Sequence, residues 1–176
     1  MNRTEILIGG VGGQGVVLSG ILLGTAATLF DGKQAVQTQS YSSELRGGST
    51  RAEVIISDER VTDPEVRKPD IVILLAQDAV ARYLPKIRPG GLVAFDADLV
   101  QTLEPGSYEA LSVPATSLAE KEMGNIVVAN LILLGALIRK TKLLSVEAME
   151  KAIERSVPQK AISLNLKAFH RGLELV

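Results

Sequence analysis

The stretch Ile6–Phe30, ILIGGVGGQGVVLSGILLGTAATLF, decides the fold of this 176-residue chain. A short apolar run meets a cluster of glycines and continues as a long apolar segment with helical character, so we predict a strand, a tight turn and a helix. Three of the glycines fit the pattern G-x-G-x-x-G. The residues of the turn are Gly10, Gly12, Gly13, Gln14 and Gly15.

Two interpretations of this turn are open. Glycine tolerates positive φ and lets the backbone approach a bound group, and the following helix would direct its free N–H groups at an anion. In the alternative, small residues only allow close packing of helix and sheet, which Gly20 and Gly24 support. The first interpretation makes an anion site possible without requiring that it be occupied.

Nucleotide sites of the common types lack their companion residues. No Lys-Ser/Thr pair follows the glycines, which excludes a phosphate-binding loop for nucleoside triphosphates. A dinucleotide site requires an acid at the end of the second strand, where this chain has Gln39 and Ser40. We therefore predict no binding of NAD or FAD, and a stand-alone dinucleotide-binding protein remains the alternative that the glycine motif alone suggests.

Composition limits the function further. The chain is long enough for one domain, residues 1–176, with a substantial core, since 46% of its residues are hydrophobic. A net charge of −1 and 3% aromatic residues argue against nucleic acid as a partner. The absence of cysteine excludes thiolate-bound iron–sulfur clusters, and the single histidine, His170, argues against a histidine-based metal site.

No segment resembles a targeting or membrane sequence. Arg3 is offset by Glu5, glycines interrupt the first apolar run, and the apolar stretches Gly15–Phe30 and Ile126–Ile138 are shorter than a membrane span. We expect a cytoplasmic protein without membrane contact.

The remaining pattern alternates strands with helices. Strands are predicted at Glu5–Gly9, Ala35–Ser40, Arg51–Ser57, Ile71–Leu75, Leu92–Phe95 and Tyr108–Val113. The polar second strand is expected near a sheet edge or facing a partner. This order predicts an α/β fold, with a Rossmann-like, mainly parallel sheet flanked by helices and a helical C-terminal third.

Helix boundaries follow from capping residues. Asp78 is a candidate N-cap of a helix that ends near Pro85–Lys86, and Ser117–Glu120 fits a capping box, with Gly124 as the stop. The segment Ile126–Arg139 is apolar on nearly all sides and needs two neighbours, one of which we expect to be another subunit. Ser145 caps the next helix, Pro158 ends it, and the last helix spans Lys160–Leu173.

A second candidate site is the loop Tyr41–Thr50, YSSELRGGST. It combines two charged side chains with a double glycine, and arginine suits carboxylate or phosphate. The alternative is a solvated loop with a weak local ion pair, which composition alone favours. The candidate residues are Tyr41, Glu44, Arg46, Gly47 and Gly48.

Several motifs in order resemble the gamma subunit of the 2-oxoacid:ferredoxin (acceptor) oxidoreductases: G-x-G-G-Q-G, QTQSY, E-x-R-G-G, RAEVIIS, P-D before an apolar strand, and GN…VVANLILLGAL. The resemblance covers Ile6–Phe169 and is closest to the 2-oxoglutarate enzymes. The family commonly has Y-G-P-E-M-R-G-G where this chain has YSSELRGG, so the loop loses a glycine and a proline.

The resemblance implies a complex that decarboxylates a 2-oxoacid on thiamine diphosphate and passes two electrons through iron–sulfur clusters to ferredoxin or another acceptor. Coenzyme A accepts the acyl group, which is succinyl in the 2-oxoglutarate type, in anaerobic metabolism. Alpha, beta and delta subunits would carry the thiamine site and the clusters. We expect no catalytic residue and no metal on this chain. The isolated chain is expected to be inactive, and it could form a homodimer.

Two roles remain open within such a complex. In the first role, the chain shapes the coenzyme A side of the active site, where Gly12–Gly15 would accept a phosphate or carboxylate and Arg46 would add positive charge. Alternatively, both loops bind no ligand and dock against the alpha and beta chains. The sequence does not identify the 2-oxoacid.

Overall fold

The computed structural model describes residues 3–41 and 48–176, and within these residues six strands form one sheet of order β2-β3-β1-β4-β5-β6. The strands are β1 (Arg3–Val11), β2 (Gln34–Tyr41), β3 (Ser49–Ser57), β4 (Ile71–Leu74), β5 (Gly91–Asp96) and β6 (Tyr108–Val113). The polar strand β2 lies at the sheet edge, as its alternating polar residues predict.

Strand direction divides the sheet into two parts. Strands β1, β4, β5 and β6 pair in parallel, whereas β3 runs antiparallel to both β1 and β2. The predicted α/β fold with a mainly parallel sheet is confirmed. The structure adds that β3 separates β2 from β1, which composition and spacing did not reveal.

The helices lie mostly on one face of the sheet. They are α1 (Val16–Thr25), α2 (Gln77–Tyr83), α3 (Ala115–Leu118), α4 (Ala129–Thr141), α5 (Val146–Ser156) and α6 (Ile162–Leu173). Turns of π-helix extend α1 over Ala26–Phe30 and α3 over Ala119–Met123. Short 3₁₀ turns cover Leu84–Lys86, Ile126–Val128 and Gln159–Ala161.

Alternating side chains of the strands build two hydrophobic cores. Ile6 and Ile8 of β1 belong to the core that packs under α1, α4, α5 and α6. Leu7, between them, belongs to the opposite core, which α2 covers with Val80 and Tyr83. The sheet is thus buried on both faces, which explains the continuous apolar run of β4.

Residues 129–138 of helix α4 are all buried, whereas Arg139 and Lys140 of its last turn are exposed. We expected a second subunit to cover one of its faces, but the structure supplies α6 of the same chain instead. Gly135 and Gly172 let the two backbones approach closely: a Cβ at Gly135 would overlap the carbonyl oxygen of Phe169 and lie 2.9 Å from Cα of Gly172. The second neighbour was missed because the polar face of α6 gives no hint of where its apolar face packs.

Two predicted caps are wrong and two are confirmed. Helix α2 has Ala76 at its N-cap position, which puts Asp78 inside the first turn. Helix α3 begins at Ala115, so Ser117 is not an N-cap. In contrast, Ser145 caps α5 by accepting a hydrogen bond from the backbone N–H of Ala148 at 3.1 Å, and Gly124 adopts the left-handed conformation that ends its helical segment.

Candidate functional site

The glycine turn lies between the carboxyl end of β1 and the start of α1. Gly13 has a φ of 91° and Gly15 a φ of 74°, which are left-handed values that favour glycine. No side chain among residues 3–41 and 48–176 caps the N-terminus of α1. The first N–H groups of the helix are therefore left to solvent or to a ligand, as the strand–turn–helix motif predicts.

The glycines of the turn have two different roles. A Cβ at Gly10 would lie 2.6 Å from Oε1 of Gln14, and one at Gly15 would lie 2.5 Å from Nδ2 of Asn130. A Cβ at Gly12 or Gly13 would meet no atom within 4 Å. Gly10 and Gly15 thus satisfy the packing interpretation, whereas Gly12 and Gly13 leave an open backbone surface.

Gln14 is engaged within the chain. Its Oε1 accepts a hydrogen bond from the N–H of Val11 at 2.8 Å, and its Nε2 donates to the carbonyl oxygen of Leu75 at 2.7 Å. The side chain therefore joins the carboxyl ends of β1 and β4. Glutamine at this position therefore stabilises the backbone of the turn.

The two candidate loops meet at the same end of the sheet. The N–H of Gly12 donates to the carbonyl oxygen of Gly48 at 3.2 Å, and Tyr41, at the end of β2, is 63% exposed. The other candidate residues of this loop, Glu44, Arg46 and Gly47, lie outside the described residues. Gly48, the first described residue after them, nevertheless lies beside the glycine turn.

Arg82 of α2 reaches the same end of the sheet and was not singled out by the sequence. Its Nη1 donates to Oγ of Ser49 at 2.7 Å, and Ser49 pairs with Val11 in the β1–β3 register. A guanidinium thus lies at the strand end from which the glycine turn begins. Its position depends on α2 packing across the sheet, which no local pattern reveals.

A cavity of about 260 Å³ opens beside the glycine turn. Its walls come from the turn, the end of β4, the end of β5, the start of α3 and the start of α4, which places it at the carboxyl ends of the parallel strands. Such crevices are the usual ligand sites of open α/β sheets. The lining residues are Gly13, Gln14, Leu75, Asp96, Leu99, Thr116, Ile126, Val127, Ala129 and Asn130.

Asn130 is the polar residue of this cavity with an unmet hydrogen-bonding capacity. It is 2% exposed, and its Nδ2 donates to the carbonyl oxygen of Gly15 at 3.3 Å and to Oγ of Ser19 at 3.2 Å. Its Oδ1 is also buried but has no hydrogen-bond partner among the described residues. A buried acceptor left unpaired costs about 1–3 kcal/mol.

Asp96 also lines the cavity and is fully buried. Its carboxylate accepts hydrogen bonds from Oγ1 of Thr116 at 2.6 Å, the N–H of Thr116 at 3.4 Å and the N–H of Asp98 at 3.1 Å. Asp98 in turn accepts from Oγ and the N–H of Ser117, both at 2.6 Å. The two carboxylates thus take over the capping of α3 that we had assigned to Ser117.

Sequence signals for these residues existed but did not identify a site. Asn130 is the polar residue in the middle of an otherwise apolar helix, and Asp96 directly follows a buried strand. Both positions are typical of residues that a fold brings to a crevice. Their partners Thr116 and Gly15 lie far away in sequence, so the pairing required the tertiary structure.

Another, larger groove of about 690 Å³ runs along the outer side of α6. Within its lining, Arg171 bonds Glu122 at 2.8 Å, and His170 bonds Glu150, which lies outside the lining, at 2.5 Å. The Arg171 hydrogen bond lowers the pKa of Glu122 below its ordinary range. The guanidinium of Arg171 is thus already paired with a carboxylate of the same groove.

Residues 3–41 and 48–176 contain no group of three or more histidine, cysteine, aspartate or glutamate side chains arranged to hold a metal ion. Their helices are all too short or too polar to cross a membrane.

Comparison with known proteins gives consistent relatives. Residues 5–175 match the family model described as pyruvate ferredoxin/flavodoxin oxidoreductase. The 2-oxoglutarate synthase subunit KorC of Methanocaldococcus jannaschii is 47% identical over 175 residues, which cover 98% of this chain and 94% of that relative.

Solved structures share the fold. The gamma subunit of a keto/oxoacid ferredoxin oxidoreductase from Geobacter sulfurreducens superposes with a TM-score of 0.86 at 41% identity, over 97% of this chain and 96% of that one. A 2-oxoglutarate:ferredoxin oxidoreductase from Magnetococcus marinus, solved with 2-oxoglutarate, coenzyme A and succinyl-CoA, has a TM-score of 0.88 at 23% identity. It matches 99% of this chain over 31% of its own length and shows the fold.

The motifs, the mixed sheet and the nearly complete coverage of these relatives agree with one another. The chain belongs to the pyruvate ferredoxin/flavodoxin oxidoreductase family.

Proposed function

We propose that this chain is the gamma subunit of a 2-oxoglutarate:ferredoxin (acceptor) oxidoreductase. The complex converts 2-oxoglutarate and coenzyme A into succinyl-CoA and carbon dioxide, passes two electrons to the acceptor and releases one proton to solvent. The observation that carries this proposal is the 47% identity to a 2-oxoglutarate synthase subunit over nearly the full length of both chains.

Companion subunits perform the redox chemistry in this proposal. The sequence contains no cysteine, and the described residues offer no metal-binding cluster. Alpha and beta chains then supply thiamine diphosphate, and iron–sulfur clusters lie on beta and delta chains. The proposed setting is the cytoplasm of a cell with anaerobic metabolism, where ferredoxin or another carrier accepts the electrons.

The glycine turn is the part of the chain that we assign to coenzyme A. A Cβ at Gly12 or Gly13 would meet no atom within 4 Å, so the uncapped start of α1 has room for a negatively charged phosphate beside it. Arg82 brings a guanidinium to this end of the sheet. Arg46, from the loop outside the described residues, adds a second cation.

Assembly is the first test. Co-expression with alpha, beta and delta chains of a 2-oxoglutarate oxidoreductase is expected to yield a complex that reduces ferredoxin with 2-oxoglutarate and coenzyme A. The isolated chain is expected to show no turnover. Turnover by the lone chain, or failure to co-purify with these chains, would contradict the proposal.

Coenzyme A titration tests the site. In the assembled complex, Arg46→Ala and Arg82→Ala are each expected to weaken coenzyme A binding about tenfold and leave the affinity for 2-oxoglutarate unchanged, because loss of a cation removes a charge-assisted hydrogen bond. Arg67→Ala is the matched control, since Arg67 bonds Glu65 on the exposed β3–β4 loop. Unchanged affinity for coenzyme A in both variants would remove the assignment.

A docking role for the same loops is the second candidate function. Strand β2 is an open sheet edge, and its final residue, Tyr41, is 63% exposed. An alpha or beta chain that covers this edge would bury Tyr41. Tyr41→Lys is expected to prevent co-purification if docking is the role, and to leave a complex of normal composition if the loops bind coenzyme A instead.

A further inference from the structure

The edge strand β2 has none of the features that keep a sheet edge unpaired. A free edge is normally protected by charge, proline or a bulge, because its unpaired N–H and C=O groups are a template for another strand. The sequence of β2, QAVQTQSY, includes no charged residue and no proline. The strand also pairs with β3 residue for residue from Gln34 to Tyr41, so it has no bulge. This edge is therefore open to another strand.

The opposite edge of the sheet, β6, is protected in the expected way. Its Glu109 forms an ion pair with Lys140 at 2.5 Å, and Pro114 directly follows the strand. A charged side chain and a following proline hinder the approach of a further strand. The difference between the two edges indicates that another strand pairs with β2 and not with β6.

Helix α1 extends the uncharged surface beside β2. A Cβ at Gly20 or Gly24 would lie 3.3 or 3.9 Å from the side chain of Gln37, so this side of the helix faces the sheet edge. Ile21 lies toward the same side by helical spacing and is 40% exposed. Helix α1 and its π-helical turn contain no charged residue, whereas α2, α5 and α6 each contain several. Depletion of charge is typical of the centre of a protein interface.

The side chains of β2 are complementary to those of a second β2. Nε2 of Gln37 donates to Oε1 of Gln39 at 3.3 Å, which leaves Oε1 of Gln37 and Nε2 of Gln39 without a hydrogen bond to another described residue. In an antiparallel pair with a two-fold axis at Thr38, each Gln37 lies opposite the Gln39 of the other copy. The free acceptor of one copy then meets the free donor of the other. The same match holds if both amides are turned over.

We propose that two copies of this chain pair antiparallel through β2, with the two-fold axis at Thr38, and join their sheets into one. Thr38 then lies opposite Thr38, and no like charges meet along the strand pair. Helix α1 packs on β3 in each copy. Three strand spacings separate the two β3 strands, so the two α1 helices lie about 14 Å apart. A helix with its side chains is about 10–12 Å wide, so the exposed Ile21 of each copy reaches the gap between the helices.

Disulfide cross-linking tests both the pairing and its register, because an introduced thiol is the only one in this chain. Thr38→Cys places two thiols opposite each other at the axis, within the Cα separation of about 4.4–6.8 Å that a disulfide needs. Ser40→Cys is the matched control, since Ser40 is exposed on the same face of the same strand. In the proposed register Ser40 pairs with Val36, which puts the two copies of Ser40 about 14 Å apart.

Mild oxidation of the purified full-length chain is expected to convert most of Thr38→Cys, and little of Ser40→Cys, into a covalent dimer on a non-reducing gel. Sedimentation equilibrium measures the association without a cross-link, and wild type is expected to be a dimer. Thr38→Lys sets two ammonium groups opposite each other and is expected to raise the dissociation constant at least about tenfold. Ser112→Lys, at an exposed position of β6, is the control and is expected to remain a dimer.

A monomeric wild-type chain, or equal cross-linking of Thr38→Cys and Ser40→Cys, would overturn the inference. Thr38→Lys is expected to co-purify with alpha, beta and delta chains as wild type does. Loss of this co-purification would assign the edge to a companion chain and would overturn the inference as well.

The inference goes beyond the proposed function, since it concerns the partner of the β2 edge and depends neither on coenzyme A nor on the reaction. The proposed function fails if the wild-type chain does not co-purify with the companion chains, whatever its own oligomeric state. The two failures are thus distinguished by separate measurements.

Discussion

At the scale of single residues, the α4–α6 crossing tolerates only glycine. Gly135 and Gly172 face each other, and a Cβ on Gly172 would overlap the carbonyl oxygen of Ile132 and lie 2.9 Å from the backbone N of Ala136. The surrounding side chains cannot relieve such an overlap because the obstacle is backbone. The position therefore fixes the distance between two helices.

Gly135→Ala is expected to destabilise the protein by about 1–3 kcal/mol, through overpacking in a closely packed core. Gly24→Ala is the matched control in α1: its nearest atom would be Cβ of Gln37 at 3.9 Å, an ordinary contact. That variant is expected to be neutral or stabilised by about 0.5–1 kcal/mol. Urea denaturation of both variants measures the difference, and equal midpoints would contradict this account.

The roles of single residues could be predicted from the sequence where their hydrogen-bond partners are close in the chain. Ser145 and Gly124 act within their own helical segments, and both predictions are confirmed. Ser117 was misassigned because its partner, Asp98, belongs to another loop. The Asn130 amide nitrogen donates to Gly15 and Ser19, which are more than 100 residues away in sequence.

At the scale of elements, the start of α5 is attached to the end of the first helical segment. Asp31 accepts hydrogen bonds from the N–H and Oγ of Ser145 at 2.7 and 2.6 Å. Ser145 then accepts from the N–H of Ala148. One serine thus caps a helix and connects it to the segment that packs beside it.

Ser145→Ala is expected to cost about 1–2 kcal/mol, at the upper end of the range for N-caps, since two roles are lost together. Ser163→Ala, at an exposed position of α6, serves as control and is expected to remain within about 0.5 kcal/mol of wild type. Thermal denaturation measures both. A change in Ser145→Ala no larger than in the control would contradict the shared role.

Helix α6 is joined to the π-helical turn after α3 by an ion pair. The Arg171 hydrogen bond, and then the charges of Arg171 and Lys167, lower the pKa of Glu122 from its ordinary value of 4.5. A carboxylate with a lowered pKa stabilises the folded state above the unfolded pKa, and this contribution is lost as pH falls through the folded value.

Wild type is therefore expected to lose stability below about pH 4.5 more steeply than Glu122→Gln, which has no carboxylate to titrate. Denaturation midpoints measured between pH 3 and pH 7 test this, in steps of about half a unit. Parallel pH profiles for the two proteins would show that the pair makes no contribution.

The sequence predicts the positions of the strands better than their directions and their neighbours in the fold. Apolar periodicity and glycine or proline breaks located all six strands described here, with shifts of a few residues at their ends. The direction of β3 was missed, because a strand with one apolar face reads the same whether its neighbours are parallel or antiparallel. The packing of α6 against α4 has a separate cause: the apolar face of α6 can be recognised in the sequence, but its neighbour cannot.

At the scale of the whole molecule, both hydrophobic cores share the central strands. Ile6 and Ile8 face one core and Leu7 faces the other, so neither core survives without β1. We propose on this ground that residues 1–176 form a single domain.

The isolated chain is then expected to unfold in one cooperative transition. Far-ultraviolet circular dichroism reports on the helices, and tyrosine fluorescence includes Tyr83 of the smaller core, since the chain has no tryptophan. Coincident curves from the two probes are the expected result. Separate transitions would divide the chain into two units.

The antiparallel insertion of β3 limits how this scaffold can be redesigned. Converting the glycine turn into an NAD site would call for an acid at Gln39, to hold the ribose hydroxyls. Neighbouring strands are about 4.8 Å apart, so a residue on β2 stands roughly 10 Å from β1, with β3 in between. An engineer seeking hydride transfer would have to change the connectivity of the chain before changing its side chains.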